Sequence, residues 1–280
     1  MKKFFSYLGI SCLLLVSFFY TEQTVTVVKE YDQVMIAIKE YSVNNKKNPA
    51  NAYIKENTII PGLSGYEVDI DKSYYNMRRY GKFDSSLIEY QSTLPEVSLA
   101  KNKDKYIVSG NPDKRMVSLI FVLEENTDIT PVLKILKEQK VKGNFFINDK
   151  WLQNNSEKLE QLIQDDHVIG NISSNFNYLD SSFLWIDTVI KKVGKQKNGY
   201  CYFKEEKEEE LNMCLLYDNY SIKPTIIENY PYKEVKEKMS SGSILSFPVN
   251  TTTIDNLPII ISYIKSKGLL VVNLNELLKE

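Results

Sequence analysis

The sequence predicts an α/β fold in which a small α/β subdomain is followed by a distorted (β/α) barrel. From residue 117 onward, continuous apolar stretches of strand length alternate with segments of helical periodicity. This pattern is typical of a parallel sheet covered by helices, and enough units follow one another to close a barrel. The chain has 280 residues, of which 43% are hydrophobic, so it can bury the large apolar core that such a barrel needs.

Residues 23–115 carry the weaker signals that predict the subdomain. Helical periodicity surrounds residues 34–41, and residues 58–60 predict a strand that runs into a Gly/Pro turn. Asp69 and Asp71 are the candidate caps of a further helix. Short strand signals follow at residues 87–90 and 106–108.

Residues 116–280 hold the barrel units, in which predicted strands and helices alternate. The predicted strands are residues 117–123, 143–147, 167–171, 200–203, 213–217, 223–227, 243–247 and 269–273. The predicted helices are residues 132–136, 156–164, 184–195, 231–239 and 254–266. In a barrel of this kind the functional side chains lie at the carboxyl ends of the strands, so a site is expected there.

Residues 1–22 predict export and a membrane anchor. Met1-Lys2-Lys3 is followed by an uncharged apolar stretch from Phe4 to Tyr20, which is the pattern of an export signal. No small-x-small cleavage site precedes Thr21, and this favours an uncleaved anchor over a cleaved signal. We therefore expect a single-pass membrane protein with its domain outside the cell, or a secreted protein if the signal is cleaved.

Two cysteines of the barrel region, Cys201 and Cys214, are candidates for a disulfide, because an even pair of cysteines outside the cell can become bonded. They flank the charged run at residues 204–210, which is interpreted as a solvated turn between two facing strands. Two buried thiols are the alternative that the sequence leaves open.

Charge and histidine content exclude several classes of function. Lys and Arg total 35 and Asp and Glu total 36, for a net charge of −1. A nearly neutral chain has no field to hold a polyanion, so nucleic acid is excluded as a partner. His167 is the single histidine in the sequence, although histidine is the commonest metal ligand and the usual general acid or base near neutral pH.

Four consecutive stretches of the barrel region have the order and spacing of a known set of motifs. They read Leu119-Ile120-Phe121-Val122-Leu123-Glu124, Thr130-Pro131-Val132-Leu133-Lys134-Ile135-Leu136, Val141-Lys142-Gly143-Asn144-Phe145-Phe146 and Asp166-His167-Val168-Ile169-Gly170-Asn171. These stretches resemble the polysaccharide deacetylase (NodB-homology) family, which writes them as L-T-F-D-D-G, T-P-x-I-L-x-x-L, V-K-A-T-F-F and G-H-E-I-G-N-H. The resemblance covers roughly residues 117–280 and implies a deacetylase-like barrel.

The same resemblance shows which functional positions have changed. The family's first motif supplies an aspartate base and an aspartate metal ligand, and those places hold Val122 and Leu123 here. The third motif supplies two histidine ligands, and those places hold Ile172 and Phe176. The last motif supplies a histidine acid, and its place holds Pro248. These side chains have no lone pairs to offer a metal. The resemblance therefore implies a divergent member with no catalytic residue, no metal and no cofactor.

The polar side chains that remain near the strand ends are candidates for binding a ligand. Glu124 and Glu125 follow the first barrel strand, whereas Asn171, Ser174 and Asn175 follow the third. The amide and hydroxyl groups of the second set are of the kind that hydrogen-bond a sugar.

Three functions remain open at this point. The first is a catalytically inactive deacetylase-like protein of the cell envelope that binds peptidoglycan or another cell-wall polysaccharide, or acts as a scaffold. The second is an active carbohydrate deacetylase or hydrolase with a displaced site at Glu124 and Glu125. The third is a protein-interaction module of an envelope complex. His167 matches a structural histidine of the family, so the lack of any other histidine argues against the second.

Overall fold

The computed structural model describes residue 11, residues 13–18 and residues 32–280. Residue 11 and residues 13–18 are helical, while the rest of the anchor predicted at residues 1–22 lies outside the described residues. Within the described part of the chain, no helix has both the length and the apolar character needed to cross a bilayer.

The strands are numbered in chain order as β1 (Tyr53–Lys55), β2 (Thr58–Ile60), β3 (Gly65–Val68), β4 (Tyr90–Thr93), β5 (Tyr106–Ile107), β6 (Met116–Leu123), β7 (Asn144–Asn148), β8 (Val168–Ser173), β9 (Gly199–Tyr202), β10 (Asn219–Ile222), β11 (Thr225–Ile226), β12 (Ile244–Pro248) and β13 (Leu270–Val272). In residues 32–280 the α-helices are Gln33–Asn44, Ile70–Met77, Thr130–Glu138, Asp149–Asn154, Ser156–Gln164, Ser182–Val193, Glu208–Leu216, Pro231–Lys238, Thr251–Ser266 and Leu274–Leu277.

The larger of two compact units comprises residues 50–63 and 95–280. It contains a sheet in the order β1-β2-β5-β10-β9-β8-β7-β6-β12-β11, with β13 paired to β6. The β1–β2 pairing is antiparallel, and the other strand pairings of this sheet are parallel. The predicted α/β class is confirmed. Among the described residues the strand path ends at β1 and β11, so the barrel is an open one.

Both faces of the large sheet are buried, and strand alternation decides which face each side chain joins. On β6, Phe121 and Leu123 pack with residues of the helices, for example Val132, in one apolar cluster. Ile120 and Val122 belong to a second cluster on the opposite face. A shift of one residue along a strand therefore moves a side chain to the other face, and this decides whether it can reach a cavity at the strand end.

The second unit, in its described part, comprises residue 11 and residues 13–18, 32–49 and 64–94. Here β3 and β4 pair antiparallel, and two helices pack around an apolar cluster that includes Val34, Ile38 and Met77. Of the two candidate caps, it is Asp69 that begins the helix Ile70–Met77, by accepting a hydrogen bond of 3.0 Å from the backbone N–H of Lys72.

The two units divide the chain differently from the predicted boundary between 23–115 and 116–280. Residues 50–63 and 95–115 belong with the large sheet, because β2 and β5 extend it beside β10. Ile59 and Ile107 accordingly pack in one cluster with Ile120. These strands are only two or three residues long, too short to show the alternation that would have linked them to the barrel pattern.

Three strands predicted from the sequence differ in the structure. The strand predicted at 213–217 is wrong, because Glu208–Leu216 is a helix whose first turn carries three glutamates that complement the positive end of its dipole. The strand predicted at 223–227 is shorter, at Thr225–Ile226. The strand predicted at 87–90 begins only at Tyr90, after a single 3₁₀ turn.

Candidate ligand-binding site

A cavity of about 300 Å³ lies at the carboxyl ends of β6, β9, β11 and β12. Its wall combines apolar, aromatic and charged side chains in one concave surface, which is the usual make-up of a small-molecule site. The lining residues are Val122, Glu124, Thr127, Phe176, Tyr202, Lys204, Ile226, Glu228, Ser246, Pro248, Val249 and Asn250. The cavity lies at the edge of the sheet where the sequence predicts a site.

Two buried hydroxyl groups stand in the wall of this cavity. The hydroxyls of Tyr202 and Ser246 lie 2.9 Å apart, and both residues are only 2% exposed. Burial raises the pKa of Tyr202, so its phenol stays protonated at neutral pH. Because one hydroxyl donates to the other, the accepting hydroxyl still has its own O–H group, which can donate a hydrogen bond to a ligand oxygen.

The ring of Tyr202 is fixed by contacts on several sides. Its backbone N–H donates to the hydroxyl of Tyr178 at 2.7 Å, and Tyr178 is fully buried. The rings of Phe146 and Phe176 each lie 5.7 Å from the Tyr202 ring, measured between centroids. Such aromatic contacts hold a side chain in one orientation, so the phenol is placed before any ligand arrives.

The charged groups around the cavity are carboxylates and one ammonium. Glu124 and Glu228 are exposed at its rim, and the Nζ atom of Lys204 lies 4.6 Å from the centre of the Phe176 ring. The backbone N–H of Glu124 donates to Thr127 Oγ1 at 2.9 Å, so this rim loop is closed on itself. The cavity therefore presents both negatively and positively charged groups to a ligand.

The five positions that lack the family's residues do not all meet at the cavity. Val122, Phe176 and Pro248 line it. Leu123 and Ile172 are not among its lining residues. Leu123 is fully buried in the cluster on the helix-covered face, because it alternates with Val122 on β6, and Ile172 is buried inside the second cluster.

A catalytic metal of the kind the family implies does not fit these residues. Among the residues that the structure describes, no group of three or more His, Cys, Asp or Glu side chains converges on one point. Glu124 is the one carboxylate of β6 and its following loop that reaches the cavity wall. A divalent ion needs several converging donors, and of the family's three metal-ligand positions the cavity wall contains one, which holds Phe176.

The five polar candidates are spread over different surroundings. Glu124 lines the cavity, whereas Glu125 is exposed and lies 3.3 Å from the ammonium of Lys150. Asn171 is buried, and its side-chain amide already has two partners. It donates to Phe183 O at 2.9 Å and accepts from Ser173 N at 2.7 Å. The remaining two candidates, Ser174 and Asn175, lie in the following loop, and the second of them lines a neighbouring cavity.

Several wall residues were not singled out from the sequence. Tyr202, Ser246 and Lys204 are separated by up to 44 positions and meet only through the parallel register of the sheet. Their position at or just beyond strand ends is the signal that marks them. A hydroxyl inside an apolar strand, as at Ser246, is a further signal, because a buried polar group requires a partner.

His167 lies before β8 and away from the cavity. Its Nδ1 atom accepts a hydrogen bond of 3.0 Å from the backbone N–H of Gly143, and its ring meets that of Phe145 edge-on. Burial, reinforced by the positive charge of Lys142, lowers its pKa to about 4. The imidazole is therefore neutral at pH 7 and joins two strands of the sheet.

A disulfide joins Cys201 on β9 to Cys214, with Cα atoms 6.4 Å apart. Of the two alternatives left open by the sequence, the structure has the bridge. It links a strand to the helix Glu208–Leu216 rather than two facing strands. Because Tyr202 follows Cys201 directly, the bridge anchors one wall of the cavity.

Comparison with known proteins agrees with these features. The family model described as polysaccharide deacetylase matches residues 109–239. Residues 109–239 thus form a polysaccharide deacetylase-like domain. The Bacillus subtilis protein YlxY is 35% identical over 176 residues, which are 61% of this chain and 53% of that relative. The chain thus spans about half the length of this curated relative.

Solved structures share the fold of the deacetylase domain and its flanking residues. A CE4-family pseudoenzyme from Bacillus anthracis has a TM-score of 0.65 and 24% identity, over 89% of this chain and 96% of that one. A mutant of that pseudoenzyme with restored enzymatic activity gives the same TM-score of 0.65. A peptidoglycan N-acetylglucosamine deacetylase has a TM-score of 0.53 and 19% identity, over 62% of this chain and 95% of that one.

Proposed function

We propose that this protein is a catalytically inactive deacetylase-like protein of the cell envelope that binds cell-wall glycan. The observation that carries the first part is the replacement of donor groups at the cavity. Val122, Phe176 and Pro248 stand in its wall at three of the family's functional positions, and their side chains have no lone pair to offer a metal and no proton to transfer. The Bacillus anthracis neighbour described as a pseudoenzyme has the same fold.

The glycan part of the proposal is supported by the cavity itself. Sugars present hydroxyl groups on their edges and C–H groups on their faces. The cavity pairs aromatic rings, those of Phe176 and Tyr202, with the buried hydroxyl of Ser246 and a charged rim. One neighbour with this fold is a peptidoglycan N-acetylglucosamine deacetylase, and this suggests peptidoglycan as the polymer to test.

For location, we propose that the domain lies outside the cell on an N-terminal membrane anchor. The proposal rests on the basic start and the apolar stretch from Phe4 to Tyr20. The Cys201–Cys214 bridge is consistent with it, since disulfides persist in oxidising compartments. Fractionation of cells with an antibody to the chain, before and after protease treatment of intact protoplasts, tests this. Protection from external protease would contradict it.

Inactivity is tested by metal content and acetate release. We expect the purified protein to hold well under one equivalent of zinc, cobalt or manganese by elemental analysis. We expect no acetate from N-acetylglucosamine oligomers or peptidoglycan above a protein-free blank. Metal-dependent acetate release would instead support the active deacetylase with a displaced site.

Glycan binding is tested by sedimentation with purified peptidoglycan. We expect retention of the wild-type protein, and roughly three- to tenfold weaker retention of the Ser246→Ala variant, which loses one hydrogen bond. Tyr53→Phe is the matched control, because Tyr53 is 63% exposed and its hydroxyl is far from this wall in the sheet order. Failure of the wild-type protein to sediment with peptidoglycan would favour the protein-interaction module.

A further inference from the structure

A second cavity, of about 240 Å³, adjoins the first at the same edge of the sheet. The two cavities share Phe176, Tyr202 and Lys204 in their walls. Small-molecule sites begin at about 300 Å³. The volume of the first cavity is at this lower limit, and the volume of the second is below it. Each volume suits a single sugar ring, and the shared side chains stand between them.

The backbone holds Phe176 in a strained conformation at this junction. Phe176 has φ 60°, and Ser173 and Asn175 in the same loop have φ 53° and 52°. The left-handed region is unfavourable for a bulky side chain. The loop is kept in place by a hydrogen bond of 3.0 Å from Phe176 N to Ile172 O. Backbone strain of this kind clusters at ligand-binding and active sites, and here it coincides with the wall that the two cavities share.

The Phe176 ring is half-buried and presents a face that a ligand can reach. On one side it meets Tyr202 at a tilt of 45°. The ammonium of Lys204 lies 4.6 Å from its centre, but this lysine is exposed, and a cation–π contact at an exposed site is weak. A ligand with its own apolar face can therefore take the place of Lys204.

We propose that Phe176 is a stacking platform for a linear polysaccharide segment of at least two linked sugar residues, one in each cavity. This inference rests on the proposed glycan-binding function and adds the length of the ligand and the residue that selects it. The C–H face of a pyranose at the junction packs on the ring, and the Tyr202–Ser246 hydroxyl pair binds the polar edge of the residue in the first cavity. The position at which the family carries a metal-binding histidine thus becomes a contact for the sugar itself.

Calorimetric titration of the full-length protein with N-acetylglucosamine and with its β-1,4-linked dimer and tetramer tests the proposal. We expect the dimer to bind at least roughly tenfold more tightly than the monomer. The Phe176→Leu variant keeps an apolar side chain of similar reach and should lose that gain, whereas Phe176→Tyr should keep it. Tyr53→Leu, an equivalent change on an exposed strand, should leave it unchanged.

The outcomes separate the two proposals. Equal affinity of monomer and dimer, with Phe176→Leu binding like the wild type, would overturn the platform and leave glycan binding standing. No binding of any oligomer would overturn both. If Phe176→Leu fails to fold, saturation-transfer NMR on the wild-type protein decides. Irradiation of the aromatic protons should reach ring protons of both sugar residues of the dimer, and transfer to neither would contradict the platform.

Discussion

His167 is held neutral by its surroundings, and this makes stability depend on pH. Its pKa is about 4 in the folded chain against an ordinary value of 6.5. The unfolded chain therefore binds a proton more readily, and folding stability is lost as pH falls from 6.5 towards 4. We expect that loss to reach at most about 3 kcal/mol from this residue.

The matched variant for this prediction is His167→Asn. The asparagine Oδ1 atom can accept the hydrogen bond from Gly143 in place of the imidazole Nδ1 atom but does not titrate. Urea unfolding of both proteins between pH 7 and pH 4 should show a smaller loss for the variant. Parallel curves over that range would show that His167 is not the titrating group.

At single residues, the sequence predicts which side chains have replaced the family's functional groups but not where each one points. Val122 and Leu123 are neighbours in the motif, yet one reaches the cavity and the other is buried among helices. Motif letters carry no strand register, and register fixes the face. For the same reason Glu124 lines the cavity although it matches no functional position of the family.

At the scale of an element, the disulfide is expected to stabilise the helix Glu208–Leu216. Cys201 and Cys214 are 13 positions apart and both fully buried. A loop of this length contributes about 3 kcal/mol by restricting the unfolded chain. Replacing both residues by serine should lower the free energy of unfolding by that amount, as measured in urea. The third cysteine, Cys12, lies in the predicted N-terminal anchor, and Cys12→Ser is the control. An unchanged midpoint in the double variant would contradict the prediction.

Glu234 stabilises the start of the helix Pro231–Lys238. Its carboxylate accepts from the backbone N–H groups of Asn229 and Tyr230 at 2.9 and 3.0 Å and pairs with Lys238 at 2.6 Å. The ion pair to Lys238 and these backbone bonds lower its pKa to about 2. A carboxylate with a lowered pKa stabilises the fold above its ordinary pKa of 4.5, and this stability is lost as pH falls towards 2.

The Glu234→Gln variant tests this at pH 7. We expect a loss of about 1 kcal/mol in the free energy of unfolding, since the contact is partly screened by solvent. The difference from the wild type should shrink as the pH approaches 2. Glu237→Gln, whose carboxylate lies 4.0 Å from Lys233 in an exposed pair, should change stability much less. Equal effects of the two variants would argue against a capping role.

Long apolar elements are predictable from this sequence, whereas short or locally contradictory ones are not. The core of β6 and the helix Ser156–Gln164 follow from their periodicity. The helix Glu208–Leu216 does not, because its apolar run around Cys214 suggests a strand. The acidic first turn was the available signal, since three glutamates there favour a helix N-terminus.

At the scale of the whole molecule, the large unit requires chain from both sides of residues 64–94, which belong to the smaller unit. A chain that begins at residue 116 would lack β2 and β5, and the edge of β10 would be uncovered. It would also lose Ile59 and Ile107, which are at most 1% exposed, and each buried isoleucine contributes about 2–5 kcal/mol. We expect this fragment not to unfold cooperatively.

Removing residues 64–94 instead, with a short Gly/Ser linker in their place, should leave the large unit folded. The ends to be joined are held close within that unit, because Ala50 and Leu63 exchange two hydrogen bonds of 2.8 Å and Ala52 N donates to Val97 O at 2.9 Å. Such a deletion keeps every strand of the large sheet. Thermal unfolding followed by circular dichroism should show one cooperative transition for the deletion and none for the fragment from residue 116, and the reverse result would place the boundary at residue 116 after all.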